Sequence, residues 1–282
     1  MRTEYEILEL VKKIAGEDSR INAAALCGSR ADKSVPRDVY QDYDILLCVS
    51  ELAPFKNNLG WLEDNFGRTL IAQLPDEMEL FEDPAREDCY AYLAIFEDGV
   101  RIDLTFTTDA CNIGEAFEVI LDKTGVLSKA HFSESRYNVS RPDQKKFSDC
   151  CNEFWWCVNN VAKGLAREQI PYAKAMFECN LRPMLNNILC WYIGSITDFS
   201  VNVGKYGKHL KTYLPDSIYE KYLKTYCAPD VSRMWACLID TCKLFSDMAR
   251  LVADELGVEY NTSEEDGMRV YLMNIKNRVY ER

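Results

Sequence analysis

The chain has 282 residues, 48% apolar and 28% charged, with a formal net charge of -12 and a sequence pI of about 4.8. That length suits one large soluble domain or two ordinary ones. The charge disfavours nucleic acid, whose affinity comes from Lys and Arg neutralising phosphates, and suits a cationic ligand better. The N-terminus, Met1-Arg2-Thr3-Glu4-Tyr5-Glu6, lacks the basic head and apolar core of a secretory leader. No apolar run approaches a membrane span. The twelve cysteines are scattered without a C-x-x-C spacing, and the two histidines, His131 and His209, lie far apart. The cysteines therefore read as small buried hydrophobes in a reducing compartment rather than zinc ligands. A cytoplasmic protein with no membrane partner is expected.

Residues 3–18 carry Ile7, Leu8, Leu10, Val11 and Ile14 at helical spacing. A strand is expected at 21–26, then a Gly28-Ser29 turn and a polar loop over 30–41. The strand 42–49 begins with carboxylates and becomes apolar on both faces, as a central strand does. A short helix at 61–66, a strand at 68–74 and an acidic loop at 75–88 follow. Asp98-Gly99 between two β-rich runs, 90–96 and 100–106, predicts a hairpin. Beyond Thr107 helical patterns dominate: a short helix at 114–121, then helices at 143–167, 171–193, 216–225, 231–256 and from 264 or 266 to about 280. The expected class is α+β, with an α/β domain at 1–123, a linker at 124–142 and a helical domain at 143–282.

Gly28-Ser29 followed by Asp42-Tyr43-Asp44 carries the most chemistry. Carboxylates at i and i+2 on a strand share a face, a spacing that suits one or two hard divalent cations. The Gly-Ser turn offers backbone N–H groups and a hydroxyl to a phosphate. A third acid, Asp103, sits in the strand-like run Arg101-Ile102-Asp103-Leu104. Together they form a nucleotidyltransferase pattern, in which metal ions clamp a nucleoside triphosphate for in-line attack. A metal-dependent glycosyltransferase also uses Asp-x-Asp but does not need the Gly-Ser turn. Phe154-Trp155-Trp156 and Trp191-Tyr192 fall on helices and read mainly as core. The interhelical stretch 198–208 holds glycines with Lys205 and Lys208, a composition that suits phosphate.

These segments resemble the aminoglycoside 6-adenylyltransferase (streptomycin adenylyltransferase) family. The resemblance runs through Gly28-Ser29-Arg30, Gln41-Asp42-Tyr43-Asp44-Ile45, Arg101-Ile102-Asp103-Leu104, Phe154-Trp155-Trp156, Ala162-Lys163-Gly164-Leu165, Arg182-Pro183-Met184-Leu185 and Asp198-Phe199-Ser200-Val201. Ala31-Asp32 departs from the polar pair expected after the turn. The resemblance implies a polymerase-β-like nucleotidyltransferase domain with a mixed sheet, a C-terminal α-helical bundle, and an active site between them. It implies ATP as co-substrate, Mg²⁺ (two ions) as cofactor, and AMP transfer to a hydroxyl of a cationic aminoglycoside, streptomycin at its 6-position being the leading acceptor. Asp42, Asp44 and Asp103 would hold the metals. Gly28, Ser29, Arg30, Lys205 and Lys208 would contact the nucleotide. Glu178 or Asp198 would act as base or bind a drug cation, although Glu178 has the spacing of a simple i,i+4 pair with Arg182. A different acceptor, or a silent nucleotide-binding homologue, are the alternatives. Monomer and homodimer stay equally open.

Overall fold

The computed structural model describes residues 1–282 except 34, 81–86, 111–112, 114–115, 131–137 and 281–282. The chain forms two compact units, Met1–Arg136 and Tyr137–Arg282.

The first unit is built on a six-stranded mixed sheet: β1 (Ile21–Cys27), β2 (Tyr43–Val49), β3 (Thr69–Gln73), β4 (Cys89–Phe96), β5 (Arg101–Thr107) and β6 (Phe117–Asp122), in the order β3-β4-β5-β2-β1-β6. Only β2 and β5 run parallel; every other neighbour pair is antiparallel. β2 is interior, as its two-sided apolar pattern requires. Helix α1 (Glu4–Glu17) opens with a capping box from Thr3 and Glu6 and buries Ile7, Val11, Ile14 and Ala15. Its stripe joins Ile21, Ile45, Leu47, Leu104 and Phe106 in one core, while Ala23, Ala25, Cys27 and Cys48 pack on the other face. A short turn α2 (Gly28–Ala31) follows β1, and α3 (Leu59–Phe66) is capped by Asn58.

Of the short helix expected over 114–121, residues 117–121 belong instead to the edge strand β6, and 114–115 lie outside the described residues. Strand β6 pairs with β1 from Ala23↔Asp122 to Cys27↔Phe117. A helix so short is marginal by itself, and the open edge of β1 supplies ladder partners that the sequence pattern could not reveal. After β6, Asp122 accepts hydrogen bonds from the backbone N–H of Thr124, Gly125, Val126 and Leu127 at 2.7–3.2 Å, and Gly125 takes φ +74°. His131 lies outside the described residues.

The second unit is helical: α4 (Gln144–Ala166), α5 (Ile170–Met176), a π-helical turn (Phe177–Leu181) running into α6 (Arg182–Ile196), α7 (Leu210–Tyr213), α8 (Asp216–Lys224), α9 (Val231–Leu256) and α10 (Thr262–Tyr280). Phe154 stacks on Phe245 at 3.6 Å between α4 and α9, and Trp155 meets both edge-on. Trp156 departs from this core and is 65% exposed. Glu265, buried on α10, accepts from Ser246, Arg250, Arg269 and Tyr260 at 2.7–3.1 Å, fastening α10 to α9. Most described cysteines are buried, with Cys179 exposed and Cys111 outside the described residues. Burial pushes the Cys48 thiol up to about 12. Among the described residues no helix is long and apolar enough to cross a membrane.

Candidate active site

The parallel pairing of β2 and β5 sets the site. Its register places Asp44 directly beside Asp103, with Tyr43 beside Ile102. Tyr43 and Ile102 are buried. Strand alternation therefore turns Asp42, Asp44, Arg101 and Asp103 to the opposite face. Gly28, at the end of β1, has φ +67° and lies against Asp44: a Cβ there would stand 2.2 Å from Asp44 Oδ2 and 2.9 Å from its Cγ. Glycine is needed here twice over, for the left-handed backbone and for the close approach of the carboxylate.

The three acids come with a cation already among them. Arg101 Nε and Nη2 donate to Asp103 Oδ1 and Oδ2 at 2.9 and 2.7 Å, and Arg101 Nη1 lies 3.3 Å from Asp42 Oδ2. This two-pronged grip suits a planar guanidinium. Burial pushes the Asp42 carboxyl above its ordinary value, opposed by Arg101 and reinforced by Asp103. Three carboxylates on adjoining strand positions have the donor chemistry of a hard divalent cation. Their present side-chain positions do not close on one: among the described residues no group of three acid, histidine or cysteine side chains is gathered to hold a metal. The motif reading assigns Arg101 no role of its own. Its i,i+2 spacing from Asp103 on a strand was the signal that it shares the acids' face.

Arg30, expected at a phosphate, is 8% exposed and engaged within the protein. It donates to Glu4 at 2.9 Å and to the carbonyls of Gln41 and Asp42 at 2.8 and 3.1 Å, and its guanidinium lies 3.9 Å over the Tyr43 ring. Arg30 therefore fixes the backbone from which Asp42 projects. Glu4 also binds Arg37, so α1, the 30–41 loop and the start of β2 are joined by one set of charges. Ser29 is half-buried, and its carbonyl accepts from Gln41 at 3.4 Å. Alongside lies a cavity of about 430 Å³ whose lining includes Glu4, Arg30, Tyr40, Gln41, Asp42 and Arg101. Arg2 ties the N-terminus to the β4–β5 turn through Asp98, at 2.8–3.2 Å, and to the end of α3 through the Phe66 carbonyl at 2.7 Å. The hydrogen bonds from Arg2 hold the Asp98 carboxyl far below the usual range.

The remaining expected residues belong to the helical unit. Glu178 stands in the π-helical turn, an irregularity common at functional sites. It accepts from Arg182 Nε at 3.0 Å and from Lys174 Nζ at 3.3 Å. Burial alone would raise its pKa, but the Arg182 and Lys174 hydrogen bonds outweigh it and hold the carboxyl below its ordinary value. Arg182 is itself buried, donates to Thr225 and lies 3.7 Å over Tyr226. The i,i+4 pair is thus formed, and it forms part of a larger polar cluster. Asp198 is exposed with φ +51°, and the next residue, Phe199, packs against Gly194. Lys205 and Lys208 are both exposed around a 3₁₀ turn, with the Lys208 stem resting on Gly204. The structure does not join Asp198 to Glu178 by a hydrogen bond or ion pair among the described contacts.

Comparison with known proteins gives a consistent result. A family model described as streptomycin adenylyltransferase matches residues 1–275. An aminoglycoside 6-adenylyltransferase of Bacillus subtilis (strain 168) is 34% identical over 272 residues, covering 94% of this chain and 95% of that protein. One from Campylobacter jejuni is 34% identical over 276 residues, covering 94% and 93%. A crystal structure of an aminoglycoside 6-adenyltransferase from Bacillus subtilis aligns with TM-score 0.50 and 29% identity over 98% of this chain and 99% of that one.

Proposed function

Since the chain belongs to the streptomycin adenylyltransferase family, and is by that kinship an adenylyltransferase, we propose that it transfers AMP from ATP to a hydroxyl of an aminoglycoside and releases pyrophosphate. The 6-position of streptomycin is the leading acceptor. The observation that carries this reading is the Asp44–Asp103 register beneath Gly28, in a chain that matches named aminoglycoside 6-adenylyltransferases along nearly all its length.

Asp42, Asp44 and Asp103 would hold Mg²⁺, which when bound supplies positive charge to the phosphates and acidifies the acceptor hydroxyl. Gly28 gives the Asp44 carboxylate its place, and Arg30 steadies the backbone of Asp42. Ser29, Lys205 and Lys208 are the proposed triphosphate contacts, the lysines supplying mobile charge to anionic oxygens. Glu178 and Asp198 are the proposed contacts of the drug. A carboxylate held ionised, as Glu178 is, can bind an ammonium or guanidinium or accept the hydroxyl proton. The net charge of -12 favours such a cationic acceptor.

The test is pyrophosphate release with ATP and Mg²⁺ across a panel of aminoglycosides that includes streptomycin. Drug-dependent release with formation of an adenylylated drug is expected. No stimulation by any member of the panel would refute the acceptor class.

A further inference from the structure

The Arg101 guanidinium stands where the acids would have to gather around a cation. It engages both oxygens of Asp103 at 2.7 and 2.9 Å and reaches Asp42 at 3.3 Å. Asp103 is largely shielded, its side chain 16% exposed, whereas the Arg101 side chain is 43% exposed and borders solvent. Arg101 also lines the 430 Å³ cavity beside Asp42. A guanidinium and a divalent cation compete for the same lone pairs, and the fork that fits a carboxylate fits a phosphate equally well.

We infer that Arg101 is a placeholder cation: it holds Asp42 and Asp103 while the site lacks metal, and gives them up as a divalent cation enters, its guanidinium then turning toward the incoming phosphates. This rests on the metal-binding reading of the three acids. It adds that the protein without nucleotide binds divalent metal weakly because its own side chain occupies the ligands. Metal and triphosphate therefore load together, since each helps to displace or receive the arginine.

The experiment is direct Mn²⁺ binding, followed by loss of the free-ion electron paramagnetic resonance signal, without nucleotide. It uses the wild type, Arg101→Gln, Arg101→Lys and the double variant Arg101→Gln/Asp44→Asn, each checked for fold by circular dichroism. Arg101→Gln should bind Mn²⁺ at least about tenfold more tightly than wild type, since charged hydrogen bonds no longer compete. Arg101→Lys keeps the charge without the fork and should fall between the two. The double variant should lose the gain. Affinity of Arg101→Gln within about twofold of wild type would overturn the proposal. So would an Arg101→Lys affinity equal to wild type, which would reduce the effect to charge repulsion, or a gain that survives Asp44→Asn, which would place the ion elsewhere. If no variant binds Mn²⁺, even with a non-hydrolysable ATP analogue present, the metal reading of the acids falls as well.

Discussion

Replacing Gly28 by alanine perturbs the site at its tightest point. The added Cβ would stand 2.2 Å from Asp44 Oδ2, 2.9 Å from Cγ and 3.3 Å from Cβ. Carbon and oxygen in contact sit roughly 3.3–3.6 Å apart, so the carboxylate must retreat by about 1 Å or the β1–α2 turn must move. The backbone adds strain, because φ is +67° and a left-handed L-residue costs about 1–2 kcal/mol. Gly257 separates the two effects. Its φ is +68° but nothing lies within 4 Å of its Cβ position. Both substitutions should lower unfolding free energy by the backbone term, measured by urea titration, with Gly28→Ala losing more. Only Gly28→Ala should lose catalysis, by roughly 10²-fold in kcat/KM, the effect of a ~1 Å misplacement of a reacting group. The assay is pyrophosphate release with ATP and the best drug of the panel. Turnover of Gly28→Ala within about threefold of that of Gly257→Ala would refute the argument, since the Asp44 carboxylate would then have no fixed place to lose.

Three further outcomes are expected. Asp42→Asn and Asp44→Asn should each abolish pyrophosphate release while the circular dichroism spectrum stays that of wild type; turnover in either purified variant would sink the metal reading. Glu178→Gln and Asp198→Asn should raise KM for the drug more than for ATP, and kcat should fall as well if the residue accepts the proton; Glu178→Gln should also cost about 1–2 kcal/mol, because buried Arg182 loses an ionised partner. If both variants keep wild-type constants for every drug tried, the acceptor site lies elsewhere. The Glu265 carboxyl titrates below its ordinary 4.5, burial raising it and the Ser246 and Arg269 hydrogen bonds lowering it further. Its stabilising contribution is therefore complete above about pH 4.5 and lost as pH falls through the lower folded value. Thermal melts from pH 6 to pH 3 should show a steeper acid loss in wild type than in Glu265→Gln; parallel curves would remove Glu265 from the account.

The sequence by itself determined the parts of this protein that depend on neighbours along the chain. The stripe of Ile7, Val11 and Ile14 specified α1, the Asp98-Gly99 turn specified the β4–β5 hairpin, and the two-sided apolar run after Asp44 specified a central strand. The Gly28-Ser29 and Asp42-Tyr43-Asp44 pattern, with the family-specific segments of the helical half, was enough to indicate the family. Tertiary structure decided what depends on partners distant in sequence. Residues 117–122 became a strand because β1 had an edge to fill. Asp103 met Asp44 because β2 and β5 pair in parallel across more than fifty residues of chain. Gly28 is constrained by which atom faces it, the Asp44 carboxylate, a contact no propensity encodes. Arg30 and Arg101 looked alike in sequence, each an arginine beside a motif. Burial made one a brace for the Asp42 backbone, and strand register placed the other among the carboxylates. Local pattern fixes which face a side chain takes; only the packed chain fixes which charges meet there.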